Sequence, residues 1–174
     1  MGLLSDISVF ENEVVLGKHT RTLRWNNAAI AYGTRVAELT DENTFLQSIA
    51  DGDFIAVRAA IFGARKAADS NYTVERFERE FKPGRFLQYI TAAVEGVTQF
   101  LPESRQEARK ENGKAETRID VLGDYVILAR VALKISRAEI MNASPRSITA
   151  MLEAEFGDEA AVKDEYYGDE IPWL

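Results

Sequence analysis

Between Pro102 and Arg118 the chain reads PESRQEARKENGKAETR, seventeen residues without one Val, Ile, Leu, Met or aromatic side chain. Four glutamates stand there against five Lys or Arg, so the stretch carries charge and almost nothing to bury. Such a segment cannot offset the entropy of being ordered in a core. Any core must therefore lie before it or after it. The expected organisation is a hairpin-plus-helical domain over 1–101, a charged hinge over 102–118, a short helical module over 119–156 and an acidic tail over 157–174. The expected fold class is α+β, mostly α. Glu, Arg and Lys propagate helices well, so the hinge is compatible with helical stretches.

A length of 174 residues, 46% of them hydrophobic, suits one domain with an appendage and enough apolar material for a core. No run approaches the ~18 apolar residues of a membrane span. The opening MGLLSDISVFENE lacks the basic start of a signal peptide, and Asp6 stands where a myristoylation motif requires Ser or Thr. The expected location is cytoplasmic. From Glu153 onward there are eight acidic residues and one basic one, Lys163, which accounts for the whole net charge of −7; the 152 residues before them balance at twenty of each sign. A neutral body with an acidic tail is poorly matched to nucleic acid, where phosphate neutralisation dominates. The sign points to a protein partner.

Taken in order, Glu13 to Trp25 reads as a β-hairpin turning at Gly17-Lys18, with Arg21, Leu23 and Trp25 on one face and Thr20, Thr22 and Arg24 on the other. Asn26 or Asn27 caps a helix to about Leu39, with Ala29 or Ile30, Gly33, Val36 and Ala37 inward and Leu39 a further candidate. Thr40 to Asn43 caps a short helix carrying Phe45, Leu46 and Ile49. Asp51-Gly52-Asp53 caps a third over 54–68, with Phe54, Ile55, Val57, Ala60, Ile61 and Ala64 inward. Thr73 opens a fourth, on which Phe77 and Phe81 share a face. Pro83-Gly84 leads into a helix over 85–101 whose inward residues are Phe86, Leu87, Ile90, Ala93, Val94, Val97 and Leu101.

Beyond the hinge, Asp120 to Leu133 repeats a helical pattern through Leu122, Tyr125 or Val126, Ala129 and Leu133. A turn over Ser136–Asn142 precedes Ser144-Pro145, a cap with proline at the first helical position. That last helix carries Ile148, Met151, Leu152 and Phe156 and closes at Gly157. Ile119 to Phe156 is only 38 residues, and units below ~40 residues without metal or disulfide seldom fold alone. This module must lean on the front domain, on a copy of itself or on a partner.

The chemistry is mostly excluded. There is no cysteine, and His19, at the hairpin turn, is the single histidine, which removes thiolate and His-cluster metal sites and a Ser-His-Asp triad. A phosphate-loop reading of Gly17-Lys18 fails at Asn12 and at His19. Pairs such as Asp51 with Asp53 and Asp164 with Glu165 read as caps and solvated charge. No catalytic, metal or cofactor residue is assigned, and no enzyme activity is expected. Residues 135–156 have the outline of a helix-turn-helix, but the second helix sets Arg146, its one basic residue, against Glu153 and Glu155, which suits a helical hairpin better than a DNA groove. The tail ends YYGDEIPWL. One reading is a disordered segment with Trp173 against the chain's own body. The other is a short linear motif with Tyr166, Tyr167, Ile171, Trp173 and Leu174 as partner anchors, since aromatic anchors dominate interface energies. Leu128, Met151 and Leu152 are the candidate partner-binding positions on the helical faces.

Several stretches together carry a resemblance: LRWNNAAIAYGTRVAEL after a hairpin, SIADGDFIAVRAAIFGAR, YTVERFEREF and LQYITAAVEGVTQFLP. Over about residues 12–102 the chain resembles the tail assembly chaperones of long-tailed phages and their relatives in prophages and gene-transfer-agent clusters. YVILARVALKISRAEIMNASPRSITAMLEAEF resembles the second part of the same system, and IPWL resembles ends seen there. In that family the two parts are commonly joined by programmed frameshifting, and the hinge at 102–118 falls where the joint would lie. The resemblance implies a non-enzymatic chaperone that binds the tape-measure protein, recruits tail tube subunits and leaves no copy in the mature virion; a homo-oligomer is a further candidate partner state. Other expectations are a regulatory adaptor using residues 135–156 on nucleic acid, and a structural tail-completion protein. Small residues such as Ala28, Ala29, Ala31 and Gly33, or Ala59, Ala60 and Gly63, serve either client grooves or internal helix packing.

Overall fold

The computed structural model describes residues 9–39, 41–102 and 133–156, with the side chains of Leu152, Glu153, Glu155 and Phe156 outside the description. The expected hinge after Pro102 and the helix expected before Leu133 fall outside it. What is described is mostly helical, opening with an antiparallel hairpin.

Strands β1 (Glu11–Leu16) and β2 (His19–Arg24) pair with Glu11 opposite Arg24 and Leu16 opposite His19. Gly17 takes φ 63° at the first loop position and Lys18 does not, the pattern of a type II′ turn whose twist suits a hairpin. Alternation then buries Val14, Leu16, Leu23 and Trp25. A hairpin alone is marginal, and this one rests on two helices introduced below, α3 and α5.

The helices that follow are α1 (Asn27–Val36), α2 (Glu42–Ala50), α3 (Phe54–Ala68), α4 (Val74–Glu80) and, after a 3₁₀ turn at Pro83–Arg85, α5 (Phe86–Phe100). Four of them start on side-chain caps: Asn26 accepts from the Ala29 N–H, Asp41 from Thr44, Asp53 from Ala56 and Thr73 from Arg76. The expected reach of α1 to Leu39 is too long. The chain leaves the helix through Glu38 at φ 56°, with Leu39 N–H on the Thr34 carbonyl and Glu38 N–H on that of Arg35, a Schellman closure built without glycine.

Helices α1 and α3 cross at small residues. A Cβ on Gly63 would lie 2.2 Å from the Ala29 carbonyl oxygen, and one on Gly33 would lie 2.6 Å from the Phe45 ring. Ala29, Gly33, Ala59 and Gly63 thus serve internal packing. The same crossing turns Ala56, Ala59 and Phe62 of α3 inward and leaves Phe54 and Ile55 exposed, against expectation. Val36 is likewise exposed.

The largest correction concerns α5. Its buried side is Tyr89, Ala92, Ala93, Gly96, Val97 and Phe100, while Leu87 and Val94, expected inward, face solvent. The cause is a close approach: a Cβ on Gly96 would lie 2.0 Å from the Trp25 indole. The Tyr89 hydroxyl also donates to the Val15 carbonyl (3.2 Å) and accepts from Lys82 N–H (3.3 Å). At about 100° per residue, Leu87 sits about 160° round the helix from Tyr89.

Two further helices, α6 (Arg137–Asn142) and α7 (Pro145–Phe156), pack on this body. The span expected as a turn is α6, opened by a capping box between Ser136 and Glu139. Ser144 Oγ caps α7, accepting from Ser147 N–H at 3.2 Å, with Pro145 in the first helical position. The fully buried Asn27 joins the pair to α1: its N–H donates to the Ala143 carbonyl and its Nδ2 to the Ile140 carbonyl, each 2.8 Å. Arg146 grips the last turn of α5 through the carbonyls of Leu101 (3.1 Å) and Thr98 (3.4 Å) and the Gln99 side-chain oxygen (3.0 Å). The described part of the rear module therefore leans on the front.

Three substitutions test this packing. Gly96→Ala should cost about 1–3 kcal/mol by overpacking against Trp25 in urea unfolding, while Gly84→Ala, with nothing within 4 Å of the new methyl, should unfold at nearly the wild-type midpoint. Asn27→Ala removes the Nδ2 bond to the Ile140 carbonyl, which keeps only the Ala143 N–H, and should lose about 0.5–1.5 kcal/mol, seen as faster amide exchange in α6 and α7 than in α3.

Candidate functional site

Two constellations stand out. The first is polar and centres on Glu80 at the end of α4. Its carboxylate accepts from Arg21 (3.0 Å), Arg76 (3.1 Å) and the Tyr72 hydroxyl (2.9 Å), and its backbone carbonyl accepts from Gly17 N–H (2.7 Å). It ties the hairpin to α4. Burial raises the Glu80 carboxyl, but the bonds from Arg76, Tyr72 and Arg21 outweigh it and hold the group below the ordinary carboxylate range. Burial first, and then the Glu80 carboxylate, push the Tyr72 phenol up. Arg65 and Arg76 lie over the Tyr72 ring, 5.1 and 5.2 Å from its centroid. The Glu80 carboxylate and the Tyr72 hydroxyl are engaged by these neighbours, while the buried Nε atoms of Arg21 and Arg65 have no hydrogen-bond partner. The arrangement is a clasp between the hairpin and α4.

The second constellation is apolar. Its base is a run of rings: Tyr89 stacks on Phe81 at 4.7 Å, Phe81 meets Phe54 edge-on at 6.0 Å, and Phe54 meets Phe86 at 4.8 Å. The last contact brings the first turns of α3 and α5 together. The neighbours in sequence of those two rings point outward, Ile55 at 61% and Leu87 at 81% exposure. Ile90, which packs near Gly52, and Val94 continue the stripe along α5. Lys82 Nζ donates to the Arg79 carbonyl (3.1 Å), and Arg85 donates to the Gly17 carbonyl (3.0 Å) on the hairpin side of α5, away from Leu87.

The positions expected to bind partners fare differently. Met151 is buried at 7% exposure, and the Leu152 side chain, Leu128, Tyr166, Tyr167, Ile171, Trp173 and Leu174 lie outside the description. None of them is brought to the exposed face among the described residues. Arg146, the basic residue of the helix-turn-helix outline, is engaged with the α5 carbonyls. Among the described residues no three or more His, Cys, Asp or Glu gather as a metal site, and no helix is long and apolar enough to cross a membrane. The exposed face was missed as a site because its residues were placed in the core. The available signal was an α5 apolar around more of its circumference than one neighbour can cover.

No family model, curated protein or solved structure matches this chain.

Glu80→Gln should destabilise the protein by about 1–3 kcal/mol at neutral pH. Because the native carboxyl is held below its ordinary value of 4.5, the native state binds fewer protons than the unfolded one. That stabilisation is whole above the unfolded value and is lost as pH falls through the lower native one. The gap between wild type and variant in urea titrations should therefore close with acidification below about pH 4.5.

Proposed function

We propose that this protein is a non-enzymatic assembly chaperone of the phage tail type, which binds the tape-measure protein and recruits tail tube subunits in the host cytoplasm. The observation that carries the reading is the set of large apolar side chains Ile55, Leu87 and Val94 standing in solvent on α3 and α5. A tape-measure protein is a long helix whose apolar positions must be covered until the tube closes around it. A helix-in-groove contact of that kind uses anchors at i, i+3 and i+7, and Leu87, Ile90 and Val94 have that spacing. The resemblance in the sequence supplies the phage setting; the face supplies the means of binding.

The test is co-expression with the tape-measure protein of the same genome. Wild type should keep that protein soluble and co-purify with it, and Leu87→Asp, a surface change that leaves the fold intact by circular dichroism, should reduce recovery at least tenfold. Equal recovery by both proteins would remove the face from the mechanism. Finding the chain in finished particles by mass spectrometry would favour a structural tail component instead.

A further inference from the structure

We propose that α6 and α7 form a latch, a unit that leaves its seat on the front of the chain and returns to it while the hairpin and α1 to α5 stay folded. The unit holds little of its own. Ile140, Ala143 and Ile148 cluster with one another, with Leu133 and Ile135 at their edge, and the main core includes no residue of either helix. Helices of six and twelve residues are too short to stand alone in water. They are helices because they are seated. The seat itself is polar: Asn27 holds the Ala143 and Ile140 carbonyls, and Arg146 holds those of Leu101 and Thr98. Water replaces each of these bonds on opening, so each adds little net stability.

The elements that meet at this seam also carry polar atoms left over. Asn26 Nδ2, Asn27 Oδ1 and Thr149 Oγ1 are buried without a hydrogen-bond partner. Asn26 and Asn27 stand at the start of α1, where α6 is bound, and Thr149 follows Arg146 by about one turn of α7. An unpaired buried polar atom penalises the closed state, and hydration of the open state relieves it. Residues 102–135 join the two parts, so an opened pair remains tethered and reseats within the same molecule. Opening is local unfolding between units of unequal stability. Closed, the rear is a fixed extension of the body; open, Asn27 and the end of α5 are bare. A partner that binds either bared part selects the open state. The latch does not depend on the chaperone reading.

The test is native-state amide exchange of the full chain, read residue by residue in low urea. The Asn27 N–H belongs to α1 but bonds across the seam to Ala143. Corrected for intrinsic rates, it should exchange together with the amides of Ile140, Ala143 and Ile148, about a hundredfold or more faster than those of Ile61 and Phe62 in α3. The four should share one shallow dependence on urea, since a small unit exposes little surface. Thr149→Val exchanges the unpaired hydroxyl for a methyl of the same shape and should slow all four by about threefold or more, with α3 unchanged. Arg146→Ala should speed all four by about fivefold or more, again with α3 unchanged. Exchange of the four at the rate and urea dependence of α3 overturns the proposal, as does fraying of α7 without Asn27 and α6. Unchanged or faster exchange in Thr149→Val overturns it as well.

Discussion

The rotation of α5 about its own axis is fixed by one indole. Trp25, fully buried, lies flat on the backbone of α5 at Gly96, where no Cβ fits. Its Nε1 donates to Asn12 Oδ1 at 2.8 Å, and Asn12 in turn donates through Nδ2 to the Ala92 carbonyl at 3.0 Å. One residue of β1 thus satisfies the buried indole and binds the helix one turn before the glycine. A hairpin marginal by itself becomes a fixed wall, and the helix acquires a single azimuth. Tyr89 enforces the same azimuth two turns earlier by donating to Val15. With Tyr89, Gly96 and Phe100 turned inward, Leu87 and Val94 have nowhere to go but out.

The rear helices are attached by a different kind of contact. Ile140 and Ile148 form a small apolar cluster of their own with Ala143, too little to hold a unit of this size. Polar bonds in buried ground supply the attachment: Asn27 at 0% exposure reaches two carbonyls around α6, and Arg146 closes the carbonyl end of α5. Unpaired backbone carbonyls are costly when buried, so these bonds define one seat where an apolar contact would permit several. The same bonds give Arg146 a structural task at the position where a nucleic-acid reading would require a cation facing outward.

Local chemistry was readable from the residues. The hairpin turn, the caps within Asn26-Asn27, Thr40–Asn43 and Asp51–Asp53 and at Thr73, and the faces of α2 and α4 follow from neighbours within one turn of the chain. The capping box Ser136-x-x-Glu139 was equally local and was passed over in favour of a turn. What could not be read was the azimuth of α3 and α5. Both helices are apolar on more than one side, so periodicity admits several faces, and the choice falls to long-range contacts: Gly63 on the Ala29 carbonyl and Gly96 on Trp25. The glycines were visible as small residues, but their partners were not. The end of α1 was hidden for a related reason, since Glu38 occupies a left-handed position that glycine usually marks.

The size of the exposed stripe bears on what it can do. Burying one large aliphatic side chain completely is worth about 1.5–3 kcal/mol, and the side chains here are already partly covered on the protein side. Association of two separate molecules costs on the order of 4–15 kcal/mol in lost freedom alone. A stripe of this extent therefore holds a partner only weakly. For an enzyme–inhibitor contact that would be a defect; for a surface that must cover a client and then give it up, it is the required range. The azimuth imposed by Trp25 thus does two things at once: it completes the core, and it leaves a face whose strength suits reversible binding.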